Sequence, residues 1–152
     1  MKKIASFTVN HDVLMPGVYV SRIDDDIVTY DLRFKNPNNN DFLSNPSMHT
    51  IEHLFATYSR NSKYQDNVVY FGPMGCRTGF YFLLRGVDKQ DALNLIIETM
   101  QFISSFDDEI PGCTAIECGN YLEHDLVCAK KDATQYLDVI KDWSVEKMEY
   151  MV

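Results

Sequence analysis

The segment His49-Thr50-Ile51-Glu52-His53 puts two imidazoles and a carboxylate within five consecutive residues. On a helix turning about 100° per residue, His49 and His53 lie about 40° apart, with Glu52 about 60° to the other side of His49. The three side chains then share one arc, while Ile51, Leu54, Phe55 and Tyr58 fall in an arc of roughly 100° on the opposite side. Such a helix packs by one face and presents ligands on the other. Two imidazoles one turn apart suit a transition metal, and a neighbouring carboxylate suits acid/base work beside it. The order His-x-x-Glu-His is the reverse of the common metalloprotease run and is that of inverzincin peptidases, so a small zinc peptidase is one reading of this helix.

A catalytic metal usually takes three protein ligands and keeps one position open. The third ligand must come from elsewhere in the chain. Of Cys76, Cys113, Cys118 and Cys128, which include no C-x-x-C pair, Cys118 is the best placed, because Gly119 after it is expected to let backbone approach closely. Cys76 differs in kind. Gly72, Gly75 and Gly79 surround it in a loop that is expected to fold tightly around a ligand, and Arg77 beside it is expected to favour the thiolate. A thiolate near neutrality both takes and gives a proton, so Cys76 and Glu52 together suit a reaction with two proton transfers. Peptide hydrolysis needs one activated water and has no task for this thiol.

The elements that must position these groups can be read from periodicity and punctuation. Residues 17–23 and 27–34 are β-branched and aromatic and flank Asp24-Asp25-Asp26, which predicts a strand hairpin. Residues 35–45 are rich in Asn and Pro and read as a loop. Asn45 is expected to cap, and Pro46 to open, the ligand-bearing helix, running to about residue 61. Strands are expected at 68–71 and 80–84. Asp88 caps a second helix carrying Leu93, Ile96, Ile97, Met100 and Ile103, and Pro111-Gly112 ends the loop after it. A last helix is expected near 130–147, with Leu137, Ile140 and Trp143 on one face. With no linker and no internal repeat, the expectation is one α+β domain over residues 1–152, an antiparallel sheet packed against helices.

The bulk numbers limit the partners. The 152 residues carry a net charge of −8, and the 14 Lys and Arg are scattered, so nucleic acid and anionic membrane surfaces are not expected to bind. The N-terminus lacks a secretory apolar core, and no 18-residue apolar span exists. A cytoplasmic protein with reduced cysteines is the expectation.

Five segments carry a family pattern: SFTVNH (6–11), DLRF (31–34), HTIEHL (49–54), GPMGCRTGFY (72–81) and ECGNY (117–121). In their order and spacing the chain resembles the S-ribosylhomocysteine lyase (LuxS) family, essentially from end to end. The resemblance implies a divalent metal in each subunit, Fe(II) with Zn or Co able to substitute, bound by His49, His53 and Cys118. It implies that Cys76 shuttles protons in sugar-carbonyl isomerisation, that Glu52 acts in proton transfer and the final β-elimination, and that the products are homocysteine and 4,5-dihydroxy-2,3-pentanedione, the autoinducer-2 precursor. Ser6, His11 and Arg33 match positions that contact the substrate, Arg33 being suited to the homocysteine carboxylate. A homodimer is implied, with sites at the interface and the N-terminal segment helping to build the neighbour's site. One position departs from the pattern: six residues before Cys76, where the family carries an Asp near the amino-acid end of the substrate, this chain has Tyr70.

Overall fold

A computed structural model describes residues 1–151. Four strands, β1 (Gly17–Asp24), β2 (Ile27–Arg33), β3 (Val68–Pro73) and β4 (Gly79–Arg85), form one antiparallel sheet in the order β1-β2-β4-β3. Three helices, α1 (Asn45–Arg60), α2 (Lys89–Ser104) and α3 (Leu126–Ile140), complete a single α+β unit. The expected class is therefore observed.

The register decides which residues face the helices. Tyr30 pairs with Phe82 and Leu32 with Phe80, while Val18 sits opposite Leu32. These side chains are fully buried in one apolar core with Ile51, Leu54 and Phe55 of α1 and Leu93, Ile96 and Ile103 of α2. Phe55 stacks on Phe71 of β3 at 3.8 Å between ring centroids, which fixes α1 over that edge of the sheet. The alternate residues, Tyr19, Asp31, Arg33 and Tyr81, point to the other face, since a strand's side chains change sides at every position.

The loop and helix boundaries differ in instructive ways. Ser44 caps α1, its hydroxyl accepting from the Ser47 amide, one residue before the expected Asn45. A helix begins where a side-chain oxygen meets an unpaired amide, and Ser44 does so here. The last helix starts earlier than expected, because the Asp125 carboxylate accepts from the Cys128 amide. Its end is earlier too: Trp143 lies beyond Ile140 and donates its indole N–H to the Val18 carbonyl, covering the outer edge of β1.

Candidate metal centre and thiol pocket

The ligand-bearing face of α1 meets the segment that follows α2. His49 and His53 lie on the exposed arc of the helix, half-buried, with the loop carrying Cys118 folded over them. The Cys118 Sγ is 3.3 Å from His49 Nε2 and 3.9 Å from His53 Nε2. Each imidazole is aimed by its other nitrogen. His49 Nδ1 donates to the Glu123 carbonyl and His53 Nδ1 to the Pro111 carbonyl, both at 2.8 Å. A carbonyl only accepts, so both Nδ1 atoms carry the proton and both Nε2 lone pairs face the sulfur.

Two imidazole lone pairs aimed at one sulfur are how ligands surround a shared cation, whereas a single thiol proton serves only one of the two nitrogens. For tetrahedral bonds of about 2.1 Å to nitrogen and 2.3 Å to sulfur, the nitrogen–sulfur separation is about 3.6 Å, which the two observed distances bracket. The three donors thus fit a zinc-like or iron-like ion. The Asn120 amide also points at Sγ from 3.5 Å, the support a metal-bound thiolate receives from a neighbouring donor.

A fourth group joins the cluster. His124 lies with its nitrogen within 4.8 Å of the other three donor atoms, although nothing in the sequence had marked it. Its ring stacks on His49 with centroids 4.0 Å apart and planes 19° apart, and Thr50 Oγ1 holds its Nδ1 at 3.0 Å. Burial first, then the two neighbouring imidazoles, lower its pKa to about 4, so it stands neutral beside the cluster. Two nearly parallel stacked rings do not aim their in-plane lone pairs at one point, so His124 backs His49 without converging on the same ion. The sequence signal for it was only that it lies six residues after Cys118.

Gly112 shows why the Pro111-Gly112 pair is there. Its φ is +70°, and a Cβ on it would come within 3.3 Å of His53 Nδ1. The pair therefore does more than end a loop: it presents the carbonyl that orients His53. By contrast, a Cβ on Gly119 would meet nothing within 4 Å, so the expected close backbone approach beside Cys118 is absent.

Glu52 lies half-buried on the same arc of α1 and lines a cavity of about 480 Å³ with His53, Arg60, Tyr70 and Gly112. Tyr70, the departure noted above, is about half exposed and lies across Gly72, where its ring occupies the space a Cβ would need.

Cys76 is exposed and lies in the turn between β3 and β4. It shares a cavity of about 380 Å³ with Ser6, His11, Arg33, Met74 and Tyr81, so the residues singled out for substrate contact meet at one place. None of His49, His53 and Cys118 lines that cavity. Arg33 and Tyr81 belong to the sheet face turned away from the helices, so the thiol pocket opens on the side opposite the helical layer that carries the metal ligands.

The charge near Cys76 is not the expected one. Arg77 turns away, its guanidinium over the Phe42 ring and donating to the Leu43 carbonyl at 3.4 Å. Arg33 is the guanidinium linked to Cys76, through Thr78 Oγ1. It is 3% exposed, donating through Nη2 to Asp31 at 2.6 Å and through Nη1 to Thr78 Oγ1 at 2.8 Å. Burial opposes its charge, but Asp31, with Cys76 and Tyr150 adding to it, raises its pKa above the ordinary value, so it stays protonated. Of the glycines expected to wrap a ligand, Gly79 instead makes room for β2: a Cβ there would sit 2.3 Å from the Leu32 carbonyl oxygen.

The sequence that builds this site has counterparts among known proteins. The family model described as S-Ribosylhomocysteinase (LuxS) matches residues 4–147. The S-ribosylhomocysteine lyase of Finegoldia magna is 47% identical over 155 residues, covering 99% of each chain, and that of Clostridium beijerinckii is 50% identical over 146 residues, covering 92% of each. The enzyme of the same name from Phocaeicola vulgatus is 43% identical over 157 residues, covering 99% of this chain and 98% of its own. With matches spanning nearly every residue and a His/Cys cluster of the right chemistry, the chain belongs to the S-ribosylhomocysteinase (LuxS) family of carbon–sulfur lyases.

Proposed function

We propose that residues 1–152 work as one metal-dependent catalytic domain that converts S-ribosylhomocysteine to homocysteine and 4,5-dihydroxy-2,3-pentanedione. The observation that carries the reading is the pocket that gathers Cys76 with Ser6, His11 and Arg33 from well-separated parts of the chain. His49, His53 and Cys118 would hold one divalent ion per subunit, Fe(II) with Zn or Co able to replace it. Such an ion supplies Lewis acidity that makes the hydrogens beside a sugar carbonyl removable.

The chain's own residues do the rest. The Cys76 thiolate takes a proton from the carbon next to the carbonyl and returns it to the neighbouring carbon, moving the carbonyl along the sugar. Glu52 moves protons between sugar oxygens. In the final step a proton leaves the carbon beside the carbonyl, a carbon–carbon double bond forms, and the carbon–sulfur bond breaks with its electron pair on sulfur. Homocysteine leaves as a thiol, and no water is consumed. Ser6, His11 and Arg33 orient the substrate at the thiol end, Arg33 through the N–H protons that Asp31 and Thr78 leave free.

A lone subunit keeps the metal ligands and the thiol pocket on opposite sides. We infer a homodimer in which the metal cluster of one copy faces the Cys76 pocket of the other. Phe7, which lines that pocket, and its sequence neighbours Ile4 and Met15 are exposed and are the apolar surface such an interface covers. No helix among the described residues is long and apolar enough to cross a membrane. Four free cysteines suit a reducing cytoplasm. The peptidase reading of α1 leaves Cys76 and its pocket without a task.

The test is incubation with S-ribosylhomocysteine while free thiol is followed. Release that stops with a chelator and with Cys76→Ala is expected. A fully active alanine variant would remove the thiol from the mechanism.

A further inference from the structure

Cys76 and Thr78 face the same way across a single strained residue. Between them Arg77 has φ +62°, in the left-handed region that a long side chain rarely adopts at a cost of about 1–2 kcal/mol. That conformation is held from outside. The Arg77 amide donates to the Met74 carbonyl at 3.0 Å, and its own carbonyl accepts from the Leu43 amide at 2.9 Å. Backbone strain that the surroundings enforce is expected where it places a working group. Here it brings Thr78 Oγ1 to 3.1 Å from Cys76 Sγ.

Thr78 is itself rigid. It is 2% exposed, and its carbonyl accepts from the amides of Phe34 and Lys35 at 2.8 and 3.0 Å. Its hydroxyl oxygen accepts from Arg33 Nη1, so the single hydroxyl proton is free to point at the sulfur. Behind Arg33 the chain of contacts continues: Asp31, fully buried, takes Arg33 Nη2 and also accepts from the Tyr150 hydroxyl at 2.6 Å. The guanidinium cannot swing away from Thr78 without leaving Asp31.

We propose that Thr78 is a positioning residue for the Cys76 thiol, its hydroxyl polarised by Arg33 and donating to Sγ, so that the sulfur is fixed in one rotamer as a hydrogen-bond acceptor ready to take a substrate proton. This rests on the reading of Cys76 as the proton-transferring group. It adds that the charge of Arg33 reaches the sulfur through a neutral hydroxyl. A guanidinium in direct contact with the thiolate would hold it more tightly and make it a poorer base.

The test compares Thr78→Val, which keeps the shape, with Thr78→Ser, which keeps the hydroxyl, in the metal-loaded enzyme. Iodoacetamide alkylation of Cys76 at neutral pH, read by mass spectrometry of the peptide containing it, is expected to slow at least tenfold in Thr78→Val and to stay within about twofold in Thr78→Ser, the difference a hydrogen bond to a charged group makes. In turnover Thr78→Val should lose kcat by a similar factor with KM nearly unchanged, and Thr78→Ser should restore it. Should Thr78→Val fail to fold, Thr78→Ala replaces it with the same expectations.

Wild-type alkylation in the variant lacking the hydroxyl would overturn the proposal, as would a serine variant as slow as the valine one. A rise in KM at constant kcat would do so too. These outcomes are separable from failure of the underlying reading, because that reading falls only if Cys76→Ala keeps its activity.

Discussion

Asp31 and Arg33, two positions apart on β2 and on the same face of the sheet, meet in an ion pair of 2.6 Å with side chains 0% and 3% exposed. Asp31 Oδ1 and Arg33 Nε have no other partner among the described residues. The pair is therefore deeply buried, a condition that makes loss of either partner costly. Asp31→Ala, which leaves a buried guanidinium without its counter-charge, is expected to destabilise the protein by about 3–5 kcal/mol in urea unfolding. A change below about 1 kcal/mol, the size of a surface ion pair, would show that solvent reaches the site.

Metal loading separates the two sulfurs. With cobalt in place of the native ion, the Cys118 thiolate should give an intense thiolate-to-cobalt absorption that disappears in Cys118→Ala and persists in Cys76→Ala. Because the ion is asked only to polarise an oxygen, the cobalt form is expected to turn over after chelation and reconstitution. Recovery with redox-active iron alone would end the Lewis-acid account. Loss of the band in Cys76→Ala would make the second cysteine a ligand and close the site.

Gly112→Ala tests the orientation of His53. A side chain at φ +70° is strained, and the added methyl would press on the His53 nitrogen that donates to Pro111. Loss of a group that orients a metal ligand typically weakens metal binding about 10–100-fold. Competition with a chromophoric chelator should show that loss while the far-UV spectrum stays the same. Unchanged affinity would mean that the Pro111 carbonyl does not aim the ring.

How far these features were legible in the sequence follows from whether they are local. His49, Glu52 and His53 share an arc because helical spacing alone puts them there, and the hairpin strands were readable as β-branched and aromatic runs either side of Asp24-Asp25-Asp26. Pairing Cys118 with the two histidines needed the family resemblance, because the residues lie more than 60 positions apart and the open space at Gly119 removes the local signal. Thr78 and Asp31 lie inside the family segments without a role of their own there, because nothing local shows that Arg33 bridges the two or that Tyr150 at the far end of the chain reaches Asp31. Arg77 was credited for being adjacent to Cys76, yet a positive φ sends its side chain to Phe42 and leaves the charge to Arg33. Trp143 matched the helical period of Leu137 and Ile140 but lies past the helix end, where its N–H serves a strand edge. Period predicts which side of an element is apolar; it does not predict where a capping oxygen stops the element.

The separation of the His/Cys cluster from the Cys76 pocket makes the proposed shared site testable with mixtures of inactive variants. If the metal cluster of one copy works with the thiol pocket of its partner, a dimer of one Cys76→Ala subunit and one Cys118→Ala subunit contains one site with both defects and one with neither. Random pairing makes half of the dimers mixed, so refolding equal amounts of the two dead proteins together should recover about a quarter of wild-type activity. If each site lay within one subunit, every site in the mixture would carry one defect and activity would stay at the level of the parents. Measuring thiol release before and after joint refolding, with each variant refolded alone as the baseline, therefore distinguishes a shared site from a private one. Recovery should also fall on dilution as the mixed dimers dissociate, because the intact site exists only while two chains are in contact.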